Sequence, residues 1–261
     1  MGRIRESIVV NIYRVILLVV LILLWEYSSD RYISSLIIGK PSLIAQKLYS
    51  YVLSRLFIED LSFTLQATFS GLILGILGGV AFGVAFSYFK LFARVVEPFI
   101  VAINSLPRPA IAPLFVTWLG FGVLSKTMVA FSIVFFIAFF NTINGIASIN
   151  PELIKAVRVM GASRIQLMRY VIIPSILTWV FAAFKTSVGF ALIGAIIGEF
   201  VGSTRGLGYR MLILSGYFDT SGVFALLILL MILGYSIVKI SEKIENIILR
   251  WRPQALTFSF L

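Results

Sequence analysis

Residues 151–174 read PELIKAVRVMGASRIQLMRYVIIP, twenty-four residues with four cations (Lys155, Arg158, Arg164, Arg169) that interrupt a chain built almost wholly of apolar runs. Asn150 suits an N-cap, Pro151 the first helical position, and Glu152 the positive end of a helix dipole, so a helix is expected to begin there. Leu153, Ala156, Val157 and Met160 recur at i, i+3, i+4 and i+7 on one apolar face, with Lys155 and Arg158 standing off it. Gly161 stops that helix, since glycine is the residue most at ease in the left-handed conformation just past a C-terminus. Ser163 and Gln166 form an S-x-x-Q capping box for a second helix, which runs to Pro174. The expectation is helix, glycine turn, helix. A first helix of about three turns is marginal in water unless its apolar face is covered. Either a lipid surface or a groove on a partner protein fits that requirement.

The surroundings decide what the interruption interrupts. Of 261 residues 60% are hydrophobic, and the mean hydropathy is +1.04, which implies a membrane protein. Stretches long enough to cross a hydrocarbon core of about 30 Å lie near 9–29, 62–88, 95–118, 126–147, 175–202 and 221–247. The expected fold is therefore all-α, a polytopic bundle of six transmembrane helices, with residues 1–261 as one domain and a cytoplasmic loop at 150–174. The first span follows Arg3 and Arg5 as a signal peptide would, but no small-x-small cleavage site follows "VILLVVLILLW", and it is read as an anchor.

Six spans put both termini on one side. The loops of that side carry 13 Lys/Arg, among them Lys90, Arg94, Lys239, Lys243, Arg250 and Arg252, against eight on the other. The positive-inside rule makes the richer side, with both termini and the opening stretch, cytoplasmic. A net charge of +11 without stacking aromatics suits lipid headgroups, not nucleic acid. The absence of Cys and His removes thiolate chemistry, Ser-His-Asp triads and the usual zinc sites.

Within the spans, Gly71, Gly75, Gly79 and Gly83 stand at strict i, i+4 spacing, and Gly194, Gly198 and Gly202 repeat the device in span five. Such a smooth face admits close helix approach, either inside the chain or between subunits. In span three, "LPRPAIAP" carries Pro107, Pro109 and Pro113, which prevent a regular helix and place broken backbone where it must be buried or line a wet cavity. Asn104 and Pro107 are thus candidates for a pathway. Lys185 lies near the middle of span five, where a bare ammonium costs at least ~2.5 kcal/mol. It is either a cation facing an anion path or a lysine tying helices together. Glu199, about 21 Å further along the same helix, is a further pathway candidate, and with Arg205 and Arg210 it forms a candidate gate or a dock near the outer surface.

The stretch 155–174 resembles the EAA loop of ATP-binding-cassette importer permeases: Glu-Ala-Ala, three residues, Gly, nine residues, Ile, one residue, Leu-Pro. Lys155, Ala156, Val157, Gly161, Val171, Ile173 and Pro174 hold those places. The flanking "LPRPAIAPLFVTWLGFGVLSK" and "FKTSVGFALIGAIIGEFVGSTRGLGY" are similar to the branch importing nitrate, sulfonates, taurine and related solutes, and the likeness covers roughly residues 40 to 250. Lys155 replaces the glutamate that opens the motif, and Glu152, one turn earlier, is the carboxylate available to compensate. The resemblance implies a permease in which Lys155, Ala156, Val157, Arg158, Met160, Gly161 and Ala162 couple to an ATPase. It also implies a second permease subunit, two cytosolic ATPases and an extracytoplasmic solute-binding protein.

The chain itself lacks a phosphate cradle: "GFGVLSKT" from Gly120 has Ser125 where a P-loop needs its second glycine. No cofactor is therefore expected in this chain, and ATP and Mg belong to the partner. A secondary carrier with a broken helix is the alternative transporter, and an intramembrane enzyme the third reading.

Overall fold

A computed structural model describes residues 2–248. The C-terminal cations Arg250 and Arg252 lie outside the described residues. Every regular element described is helical: α1 (Gly2–Ser28), α2 (Ser35–Ile38), α3 (Pro41–Val52), α4 (Arg55–Tyr88), α5 (Lys90–Asn104), α6 (Arg108–Leu119), α7 (Val123–Ala147), α8 (Pro151–Val159), α9 (Arg164–Leu167), α10 (Ile173–Val201), α11 (Leu207–Gly216) and α12 (Thr220–Ile248). A π-helical turn, Met168–Ile172, fuses α9 to α10, so that a continuous helical rod runs Arg164–Val201. Pro174 has no N–H to return to the preceding turn, and the wider turn just before it accommodates that loss.

Five helices are long and apolar enough to cross a membrane, or up to six if α5 and α6 count as one span. These two are the expected third span, and they are bent by 94°. The break falls at residues 105–107, where Leu106 is biased to extended backbone by the proline after it and Pro107 then caps α6 with ψ 120°. Pro98 and Pro113 are absorbed inside helices.

The second span also differs from expectation, because α4 starts at Arg55, seven residues before the apolar run begins. The first turns carry Glu59 and Asp60, which hydropathy assigns to a loop, yet Asp60 is buried by partners from α3 and α11. Residues 30–61, expected as a loop, contain α2 and α3. Pro41 opens α3, which buries Ile44 and lays Leu48 and Tyr51 on the cluster Leu207, Met211, Leu226 and Leu229.

At the centre, α4, α7 and α10 form a tight slab. The glycine stripe of α4 lies against α7 of the same chain: a Cβ on Gly71, Gly75 or Gly79 would stand 2.5 Å from Ala130 Cβ, 2.6 Å from Val134 Cβ or 2.4 Å from the Phe135 carbonyl. Gly83 meets Thr142 in the same way. From the other side, Gly194 and Gly198 of α10 press on Ala130 and Lys126 of α7, and Gly202 on Val116 of α6. Within the chain, then, both stripes are packing faces. The apolar flank of α1, by contrast, is exposed from Val9 to Leu24. Its C-terminal end is held by Trp25, which donates to the Ile38 carbonyl at 3.2 Å and packs edge-on against Phe224 of α12 at 5.3 Å.

Candidate functional site: a capped helix pair, a cleft at the broken span and a buried latch

The opening stretch folds as its caps dictate. The Asn150 side chain accepts from the Glu152 amide at 2.8 Å, and α8 runs to Val159. Gly161 follows with φ +84°, a conformation a β-carbon disfavours. The Ser163–Gln166 capping box is complete in both directions, at 3.2 and 2.8 Å. Arg164 reaches the Tyr88 hydroxyl at 3.1 Å and ties the pair to the end of α4.

The inward side of α8 differs in part from the periodic face read from sequence. Ile154 and Val157 pack down on buried Ile149, Leu167 and Val171, whereas Leu153, Ala156 and Met160 point outward. Val159 and Met160 are 88% and 84% exposed, and Ile165 79%. Lys155, Arg158, Arg164 and Arg169 stand exposed among them, and Gly161 and Ala162 form the turn between the helices. The result is an apolar knob ringed by cations.

The break in the third span lines a cleft of about 390 Å³. Asn104, Leu106 and Arg108 line it from the break, Ile133, Phe136, Ile137 and Phe140 from α7, and Thr186 and Phe190 from α10. Asn104 is thus placed in the cleft, and Pro107 makes its corner. Arg108, absent from the sequence-based candidates, donates to the Asn104 side chain at 3.0 Å and lies over the Phe136 ring at 4.8 Å. Lys185 does not line this cleft. Half-buried on α10, it is close enough to Glu242 of α12 for their charges to interact.

Glu199 is fully buried, and the cleft is lined without it. Its carboxylate accepts from Thr64 Oγ1 at 2.7 Å and from the Gly208 amide at 2.6 Å. Gly206, at φ +112°, comes so near that a Cβ there would sit 2.4 Å from the Glu199 carboxyl carbon. Arg205 faces Glu59 at 3.8 Å. Arg210 pairs with Asp60, Nε to Oδ2 at 2.9 Å.

Asp60 is the second carboxylate of this latch, accepting also from the Gly206 amide and the Tyr51 hydroxyl, both at 2.9 Å. Burial and the adjacent Asp60 push the Tyr51 hydroxyl above the ordinary tyrosine range. Burial opposes the Arg210 charge, but Asp60 outweighs it and raises that guanidinium further. Close by, fully buried Lys126 donates to the Phe121 carbonyl at 2.9 Å and to the Gly202 carbonyl. Together these groups fasten residues 202–210 to α3, α4 and α7.

A spanning slab, a capped helix pair beneath it and a broken span beside a cleft define a membrane permease. The chain matches the family described as binding-protein-dependent transport system inner membrane component over residues 71–244, and it belongs to that family. It is 34% identical to the formylaminopyrimidine transport permease protein ThiX of Halalkalibacterium halodurans, covering 90% of this chain and 93% of the relative. It is 35% identical to the riboflavin transport system permease protein RibX of Chloroflexus aurantiacus, covering 82% and 80%. The putative aliphatic sulfonates transport permease protein SsuC of Bacillus subtilis is 26% identical, with 89% and 85% covered.

Solved structures share the fold. An inward-facing MetNI methionine ABC transporter chain superposes with TM-score 0.61 at 22% identity, over 78% of this chain and 95% of that one. A chain of a bacterial alginate ABC transporter gives 0.64 at 16% identity, over 93% and 97%.

Proposed function

We propose that this chain is the membrane-spanning half of an ATP-driven importer in which α8 is the coupling helix, docking in a cleft of a separate ATPase. The observation that carries this reading is the apolar knob of Leu153, Ala156, Val159 and Met160, left exposed on a short helix whose other side is already packed. An unpacked helix of nine residues is not stable alone, and here the packed side leaves a second, apolar side for a partner groove. Membership of the importer permease family supplies the partner's class.

The assembly comprises two permease subunits, most simply two copies of this chain, two ATPases holding ATP and Mg, and an extracytoplasmic binding protein. It sits in the cell membrane with both termini cytoplasmic and α5–α6 counted as one crossing. Arg108 in the cleft, and the sulfonate relative, favour a small anionic solute of the nitrate, sulfonate or taurine kind. The rings of Phe136, Phe140 and Phe190, and the higher identity to the ThiX and RibX permeases, favour a second reading, a planar heterocyclic vitamin precursor.

Copurification tests the core of the proposal: an ATPase subunit should come down with the intact permease, and its absence would remove the importer reading. Calorimetry on the cognate binding protein, titrated with taurine and with a pyrimidine, separates the two solute classes. Reporters fused at residue 261 and in the 30–61 segment should report opposite sides of the membrane, and the same side for both would end the six-span arrangement.

A further inference from the structure

We propose that Arg108 is the solute-contacting cation of the translocation path, taking the oxyanion group, carboxylate or sulfonate, of a solute passing through the cleft at the broken span. The inference rests on the permease reading and names a residue and a ligand chemistry for it.

Depth is the first observation. The cleft is walled by Phe136, fourteenth of the 25 residues of α7, and by Thr186, fourteenth of the 29 of α10. Arg108 therefore lies level with the middle of two spanning helices, where a guanidinium is costly and its retention marks function.

The second observation is a donor count. Guanidinium has five N–H groups, and Arg108 makes three hydrogen bonds: to the Ile103 carbonyl at 3.3 Å, the Asn104 carbonyl at 3.4 Å and Asn104 Oδ1 at 3.0 Å. Two donors are left over. Among the described residues no carboxylate forms an ion pair with it. Its face is covered by Phe136, so the group is positioned by stacking and by the end of α5 without being neutralised.

The third is the backbone. At the break the N-terminus of α6 opens at Arg108, and no side chain caps it. Its positive dipole end adds to the same field. The spare N–H groups, one on Nε and one on Nη1, lie on different edges of the guanidinium, so an oxyanion beside this uncapped helix start would take single charge-assisted hydrogen bonds from it. Sequence alone conceals this, because Arg108 sits between two prolines and reads as a loop cation.

The chain has no cysteine, which permits a test that needs no knowledge of the solute. Thr186→Cys places a single permease thiol in the cleft, in vesicles holding the full chain with the ATPase that copurifies with it. Methanethiosulfonates bearing a sulfonate or a trimethylammonium group are compared by the mass shift of the permease. The anionic reagent should react faster, and Arg108→Gln should lower the anion-to-cation rate ratio about tenfold, as expected for one charge within about 10 Å in a partly dehydrated site. Arg108→Lys should keep most of the preference. An unchanged ratio in Arg108→Gln overturns the proposal while leaving the permease reading intact. A thiol at 186 that neither reagent reaches removes the cleft from any wet path, and the pathway reading fails with it. Should Arg108→Gln not assemble, the ratio at Thr186→Cys is compared with that at exposed Ser215→Cys with Arg108 in place, and equal ratios overturn the proposal.

Discussion

The two ends of the molecule treat their charges in opposite ways. At the end that holds residues 202–210, Asp60, Glu199 and Lys126 are buried and Arg210 nearly so, and each is met by a partner distant in the sequence. At the other end Lys155, Arg158 and Arg169 stand exposed beside Val159 and Met160, and the hydrogen bonds of α8 and α9 are largely spent on their own caps. The first end closes its bonding inside one chain, while the end with the helix pair is rigid in backbone and open in surface. Damage at the first should therefore appear as lost stability, and damage at the second as a lost partner.

The largest effect is expected at Asp60. Asp60→Ala leaves the Arg210 guanidinium, the Gly206 amide and the Tyr51 hydroxyl without their acceptor, and removing one member of a buried pair costs about 3–5 kcal/mol. Thermal unfolding in detergent should shift steeply downward; a midpoint within a degree of the parent would show that the latch is not structural. Next comes Ala156→Asp. It buries an uncompensated carboxylate only if α8 is docked, so ATPase recovery should fall at least tenfold while the unfolding midpoint holds. A matching loss of midpoint would erase the distinction between the two ends.

Gly161→Val is expected to be milder. Nothing lies within 4 Å of a Cβ at that position, so the penalty is conformational alone, about 1–2 kcal/mol. Reduced ATPase capture, by roughly five- to thirty-fold, with the spans still inserted, is the outcome to look for. The smallest effect belongs to Asn150→Ala, which deletes one cap worth about 1 kcal/mol. Hydrogen exchange confined to α8 should accelerate several-fold, and a change spread across α7 or α10 would mean that the helix pair is not a separable unit.

The legibility of these regions follows the same division. Caps, turn and box at 150–166 are local signals, written within four residues of where they act, and they are realised atom for atom. The glycine stripes are nearly as local, since a period of four names the face although not its partner. The buried latch is the reverse case. Thr64 and Glu199 are 135 residues apart and Arg210 and Asp60 150, and no periodicity links them; hydropathy places Asp60 in a loop and gives no sign of the hydroxyl and amide that meet Glu199. Lys126 had a signal, a lysine closing the Gly-Phe-Gly turn at the head of an apolar run, but its role as a clamp on the Gly202 carbonyl depends on a chain segment far away. The face of α8 was half legible: Val157 turned inward with Ile154 because Leu167 and Val171 rise beneath them, a fact of tertiary packing.

Ala130 carries a mechanical consequence. It has Gly71 pressed on one side and Gly194 on the other, at separations that leave no room for a single added carbon. Three long rods pinned at one point without slack cannot slide past one another, so α4, α7 and α10 have to move as one plate. Whatever bending the molecule performs is then left to its joints, the proline corner at 105–107 and the wide turn at 168–172 that separates the helix pair from this plate.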